Sequence, residues 1–336
     1  AQDNLGASEI MKRPLFLLVI STILALSACQ ATSTPTANTQ LREITINLTY
    51  IPNVQFAPFY VAIKKGYFAE EGLKVTLNYG NEADLIALVG SGNQQFLVAS
   101  GEQVLMARAQ GLPVVAVFPW YKDYPVGVVS LKEKNIQTPQ DLKGKVIGLP
   151  GLYGANYIGF EALANYAGLS DADYTLASIG FTQVEALVSQ TVDAAVIYLP
   201  NEPSQLRALG YEINIIAVSD YLDLVGNSLV TNEETIANDP AVVRSVLRAF
   251  YRGVKATAEN PEEAYAICAK YVENLTEADQ AVQQAVLAES IKLWETDPQP
   301  SAQQERWENM QQVLLQLGLM SQPIDVQGAY SDDFLP

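Results

Sequence analysis

The side chains in this sequence that are equipped to act on another molecule are rings, amides and carboxylates. Its 336 residues include no histidine and two cysteines, Cys29 and Cys268. The absence of histidine removes the commonest metal ligand and the usual general base near neutral pH, and two thiols cannot make a zinc cluster. Cys268 in AYAICAKYV stands at helical spacing with Ala264, Tyr265, Tyr271 and Val272, and reads as a small core residue rather than a nucleophile. Aromatic residues crowd a few short stretches instead: Tyr50 in TYIPN with Phe59 beyond it, Trp120, Tyr121 and Tyr124 in FPWYKDYP, Tyr153 and Tyr157 in LPGLYGANY, and Tyr198 in IYLPNEP. Two such rings can sandwich a planar molecule, each stacking contact adding about 0.5–1.5 kcal/mol beyond area burial. Asn53, Asn156 and Glu202 share those stretches, and Ser100 and Glu102 sit in ASGEQ, so hydrogen bonds to ring N–H and hydroxyl groups are available. Lys122 is the one cation in these stretches. An anion calls for arginine, lysine or an open helix N-terminus, and of these the helix start after Gly151 is the one on offer. The residues therefore point to a neutral planar heteroaromatic ligand. GLPGLYGAN lacks both a Gly-Lys-Ser/Thr ending and the G-x-G-x-x-G pattern, so it reads as a tight strand-to-helix turn rather than a phosphate cradle.

These stretches must be held by something, and the surrounding pattern supplies it. From Leu41, EITINLTY, LKVTLNY, QFLVAS and PVVAVFPW read as strands, separated by the helical PFYVAIKK, EADLIALVGSG and EQVLMARAQG. A second run starts near Val126 and alternates VGVVSL, KVIGLP, YTLASI, DAAVIYL and INIIAV with helices. Repeated β-α-β implies largely parallel sheets in two α/β lobes. The ring-bearing stretches fall at strand C-terminal ends, where open α/β sheets hold ligands. After Asn232 the strands stop and four helical stretches follow, with Pro240 and Pro261 at first-turn positions. A helical tail of this kind packs back on the first lobe, so the chain crosses between lobes twice, near Tyr124–Val128 and Asp220–Leu229. That makes a hinge with a cleft for ligand.

Residues 11–30, MKRPLFLLVISTILALSACQ, carry Lys12 and Arg13 ahead of an apolar stretch ending in Leu26-Ser27-Ala28-Cys29. This reads as a secretory signal with a lipobox, cleaved before Cys29 and lipidated on its sulfur. Residues 1–10 precede a start at Met11 as an upstream extension. ATSTPTANTQ then reads as a flexible tether. The expected organisation is signal peptide 1–28, lipidated cysteine and tether 29–40, first lobe 41–125 with 225–336, and second lobe 126–224. The net charge of −17 survives removal of the leader, whose four charges cancel. It argues against nucleic acid as a partner.

YIPNVQFAPFYVAIKKGYFAEEGLKVTL, VASGEQVLMARAQGLPVVAV, TPQDLKGKVIGLPG and DAAVIYLPNEP occur in this order between Ile44 and Leu317. In this the chain resembles periplasmic solute-binding proteins of ABC importers, of the alkanesulfonate, nitrate and thiamin-pyrimidine type. The resemblance implies an α/β type II clamshell, monomeric, that hands a small ligand to a transmembrane permease from the periplasm or cell surface, which fits the lipid anchor at Cys29. Within it, the cation-poor loops disfavour sulfonate and nitrate. Riboflavin is the favoured ligand, and a formylaminopyrimidine precursor of thiamin the alternative. The expected contacts are Tyr50, Asn53, Phe59, Ser100, Glu102, Trp120, Tyr153, Asn156, Tyr157, Tyr198 and Glu202, with no cofactor and no metal. An enzyme branch of the same fold builds the thiamin pyrimidine with a histidine and a cysteine-rich motif. Both are missing here, so a binder rather than an enzyme is expected.

Overall fold

Ile44, Ile46 and Leu48 alternate along strand β1 (Arg42–Thr49) and are buried. Asn47, on the opposite face, is buried too, and is kept there by hydrogen bonds. Its Nδ2 donates to the Phe96 carbonyl at 2.9 Å, and its Oδ1 accepts from Asn78 Nδ2 at 2.9 Å. A strand covered on both faces in this way belongs to the interior of an α/β sheet. The computed structural model describes residues 40–299 and 304–336. The signal peptide, Cys29 and all but the last tether residue lie outside the described residues. The chain from Leu41 to Pro336 clusters as one unit.

After β1 come helices α1 (Ala57–Lys64) and α2 (Tyr67–Glu70), strand β2 (Leu73–Gly80), α3 (Glu82–Gly90), β3 (Phe96–Ala99), α4 (Gly101–Ala109) and β4 (Val114–Pro119). The chain then crosses to β5 (Val126–Leu131), β6 (Val146–Leu149), α5 (Gly154–Tyr166), β7 (Thr175–Ser178), α6 (Gln183–Val188), β8 (Ala194–Tyr198), α7 (Glu202–Ala208) and β9 (Ile213–Ala217). It returns as β10 (Ser228–Asn232), followed by α8 (Glu233–Asn238), α9 (Pro240–Glu259), α10 (Pro261–Cys268), α11 (Gln280–Leu293) and α12 (Gln304–Gln316).

Two five-stranded sheets result, ordered β2-β1-β3-β10-β4 and β7-β6-β8-β5-β9. Both are mixed, which corrects the expectation of largely parallel sheets. In each, one strand runs antiparallel to both its neighbours: β10 between β3 and β4, and β5 between β8 and β9. These are the strands the chain makes on first arriving from the other lobe. A direct crossing delivers a strand running against its new neighbours, because no crossover helix turns the chain around. The two connecting segments are tied together, with the amides of Trp120 and Tyr121 both donating to the Asn227 carbonyl at 3.0 Å.

Pro240 and Pro261 begin α9 and α10, with the Asp239 and Asn260 side chains capping the next free amides. Helix α9 lies on α1 of the first sheet's layer. Phe250 stacks on Phe59 with centroids 4.4 Å apart, and Gly253 is so close that a Cβ there would sit 2.2 Å from the Pro58 carbonyl oxygen. Cys268 is fully buried in this layer, and burial pushes its thiol up to about 12. It is a packing residue.

Candidate ligand-binding site

A cavity of about 410 Å³ opens between the exits of strands from both sheets, within the usual range for small-molecule sites. The first sheet contributes Tyr50 and Asn53 after β1, Asn81 and Glu82 after β2, and Trp120 after β4. The second contributes Tyr153 and Asn156 after β6, Phe181 and Gln183 after β7, Tyr198 at the end of β8, and Asn201 and Glu202 after it. Asn227, from the returning segment, lines it as well. Among the described residues that line the cavity there is no lysine or arginine, and Glu82 and Glu202 are its acids.

The aromatic residues are not equivalent. Tyr153 and Phe181 are largely exposed at the rim, at 68% and 70%. Tyr153 lies against Gly151, where a Cβ would come within 2.4 Å of its ring, so the glycine is what lets the ring lie on the turn. Tyr50 holds a backbone φ of 126°, a conformation that L residues adopt at a cost of about 1–3 kcal/mol and that clusters at functional sites. Its ring meets Phe181 edge-on from the facing sheet, centroids 5.4 Å apart at 67°. Trp120 is 2% exposed and set among rings: Phe56 and Trp294 are inclined to it by 32° and 31°, while Phe59 and Phe250 abut it edge-on. It braces the cavity and has little free face for stacking.

The carboxylates are graded by depth. Glu202 accepts from the Tyr198 amide at 3.1 Å and from Asn201 Nδ2 at 3.2 Å. Burial nonetheless pushes it up to about 7. Glu82 Oε1 accepts from the amide and hydroxyl of Ser100 at 2.5 and 2.8 Å, and burial again raises it. Glu102 is fully buried, and neither of its carboxyl oxygens has a hydrogen-bond partner. Burial and then the charge of Glu82 push it up to about 8, so it is held neutral.

Four expected contacts are placed elsewhere. Phe59 faces α9 on the helical period of α1 and belongs to the core. Ser100 spends its hydroxyl on Glu82. Glu102, in the first turn of α4, is sealed in beside Glu82 and Tyr124. Tyr157, one residue past Asn156 on α5, is turned toward Glu161 and Asp171. The other seven line the cavity, although Asn53 and Asn156 each spend one side-chain atom on backbone groups: Asn53 Oδ1 accepts from Gln55 N–H, and Asn156 Nδ2 donates to the Val196 carbonyl of β8. Sequence reasoning missed Glu82, Gln183, Phe181 and Asn227. The first three follow β2 and β7, whose exits obey the same strand-end rule as those that were considered.

Residues 53–264 match the family described as NMT1/THI5 like, which is more than half of the chain. The chain belongs to the NMT1/THI5-like family. It is 35% identical to the riboflavin-binding protein RibY of Chloroflexus aurantiacus, over 97% of this chain and 99% of that protein. It is 30% identical to the formylaminopyrimidine-binding protein of Halalkalibacterium halodurans, over 96% and 99% of the two chains. A third relative, the 4-amino-5-hydroxymethyl-2-methylpyrimidine phosphate synthase of Legionella pneumophila, is 28% identical over 66% of this chain. Among solved structures, the aliphatic sulphonate binding protein SsuA of Escherichia coli superposes with a TM-score of 0.70, covering 85% of this chain and 91% of that one at 15% identity. The fold of this family member is thus the two-lobed α/β fold of periplasmic binding proteins.

Proposed function

We propose that this protein is the solute-binding component of an ABC importer and that it captures a neutral planar heteroaromatic, with riboflavin favoured. The observation that carries this is the cavity itself: rings enter it from both sheets, it has no lysine or arginine among the described residues, and burial disfavours the charged form of both its acids. A flat uncharged ring brings no charge that this lining would have to compensate. A sulfonate or nitrate would find no lysine or arginine among the described lining residues and would rest on the helix start at Gly154 alone. Tyr50, Tyr153 and Tyr198 supply aromatic surface, and Trp120 braces the base. Asn53, Asn156 and Glu202 supply polar contacts, joined by Gln183, Asn201 and Asn227 for the hydroxyls of a polar chain. The full-length relative named for riboflavin binding supports this ligand.

The relative named for formylaminopyrimidine binding, also matched over almost its whole length, supports a second reading with a single-ring pyrimidine. The synthases match over a smaller share of the chain, and the sequence offers no histidine for their chemistry, so we read the chain as a binder. On this reading it works outside the cytoplasmic membrane as a monomer, presented to a permease and tethered through a lipid on Cys29.

Titrating purified protein into riboflavin tests the ligand. Micromolar protein is expected to quench flavin fluorescence and to return the vitamin unchanged, with the melting temperature rising as flavin is added. Absence of quenching together with a melting shift on adding formylaminopyrimidine overturns riboflavin in favour of the pyrimidine. Chemical conversion of either compound overturns the binder.

A further inference from the structure

Eight large apolar side chains are exposed on the described surface, and three of them, Ile51, Tyr153 and Phe181, line the cleft from both lobes. Phe181 is the most exposed. It is presented by a tight turn in which Gly180 has φ 62° and the Thr182 hydroxyl donates to the Ile179 carbonyl at 2.7 Å. A phenylalanine with 70% of its surface in solvent contributes little to the core of its own lobe. The aromatic contact it makes is with Tyr50, across the cleft. Tyr50 is the residue whose backbone is held at φ 126°, and its hydroxyl also lies close enough to Glu202 of the second lobe to feel its charge.

We propose that Phe181 and Tyr50 form an aromatic clasp that shuts the cleft mouth, and that Phe181 thereby sets how long a bound heteroaromatic is retained. The ligand part rests on the function proposed above; the clasp itself does not. An edge-to-face pair is worth about 0.5–1.5 kcal/mol beyond area burial. The contact exists only with the lobes together, so it slows escape without hastening entry. The strained backbone at Tyr50 has a role here: it carries the ring out of the β1 line and over the opening.

Two measurements on the full chain test this. In stopped-flow displacement, Phe181→Ala is expected to raise the riboflavin dissociation rate about two- to twelvefold without lowering the association rate. Tyr50→Ala combined with Phe181→Ala is expected to fall short of the product of the single effects. An unchanged dissociation rate, or fully multiplicative singles, overturns the clasp. The second measurement needs no ligand. Spin labels on Asp84→Cys in α3 and Glu185→Cys in α6, both exposed, report the spacing of the lobes in a Cys29→Ser background, where Cys268 is too buried to label. Phe181→Ala is expected to reduce the short-distance population. A distribution identical to that of the unsubstituted protein overturns the clasp. If riboflavin does not bind, the ligand assignment fails and the spacing of the lobes alone judges the clasp.

Discussion

Glu102→Gln is the sharpest perturbation the structure offers. The carboxyl is fully buried, neither oxygen has a partner, and Glu82 adds like charge beside it. Its folded-state value of about 8 against the ordinary 4.5 converts, at 1.36 kcal/mol per unit, to roughly 4–5 kcal/mol over the whole interval. The sign follows from proton counting. Between pH 4.5 and 8 the native state keeps a proton that the unfolded chain releases, so stability falls as pH rises through that window and levels off above it. Glu82 and Glu202 are raised as well and act in the same direction. Glu71, Asp193 and Asp239 are lowered by hydrogen bonds from Arg248, the Val146 amide and Arg42 respectively. The stability they add is lost below the ordinary carboxylate range and does not offset the trend. Glutamine keeps the shape and cannot ionise. Urea unfolding at pH 5, 6, 7 and 8 should show wild type losing stability steadily. Glu102→Gln should match it to within about 1 kcal/mol at pH 5 and exceed it by about 3 kcal/mol at pH 8. Parallel pH profiles for the two proteins, or a wild type that gains stability from pH 5 to 8, would refute the burial argument.

Gly253→Ala drives a methyl into the Pro58 carbonyl, so the urea midpoint should fall by the equivalent of about 1–3 kcal/mol, through loosening of α9 from α1. Tyr50→Gly relieves a φ of 126°; the ligand-free melting temperature should rise while ligand affinity drops, and a fall in both would mean the ring matters more to the fold than its backbone costs. Glu202, at about 7, should impose an inflection on ligand affinity. Closing the cleft over an ionised carboxyl costs desolvation, so binding by calorimetry should weaken up to about tenfold from pH 6 to 8 in wild type and stay flat in Glu202→Gln.

The alternation of strands and helices was legible because apolar residues switch between period two and the helical period along the chain, and Pro240 and Pro261 marked their helices through a rule that depends on one residue's chemistry. Strand direction was not legible. Nothing local in VGVVSL or in SLVTN says that its neighbours run the other way, since direction depends on where the chain has come from. For the site, strand exits located most of the rings, but side-chain direction on helices was beyond the pattern. Phe59 and Tyr157 lie within a few residues of cavity-lining positions, yet point into packing because of the helical turn. Glu102 looked like an available acid and proved to be sealed in, as burial of a first-turn residue is decided by what covers it. Phe181, a lone aromatic after a glycine, carried a signal that was readable in principle: a large apolar residue in a turn with nothing nearby in sequence to bury it.

The place of β10 between β3 and β4 has a consequence for biogenesis. As the polypeptide emerges from its N-terminus, the first sheet has a gap in its middle until residues 228–232 arrive, more than a hundred residues after β4. The second sheet is drawn from one uninterrupted segment, 126–217, and can assemble as soon as that segment is free. The half made last is therefore the half that begins first, and the nascent chain must carry an unfinished sheet throughout the synthesis of its neighbour.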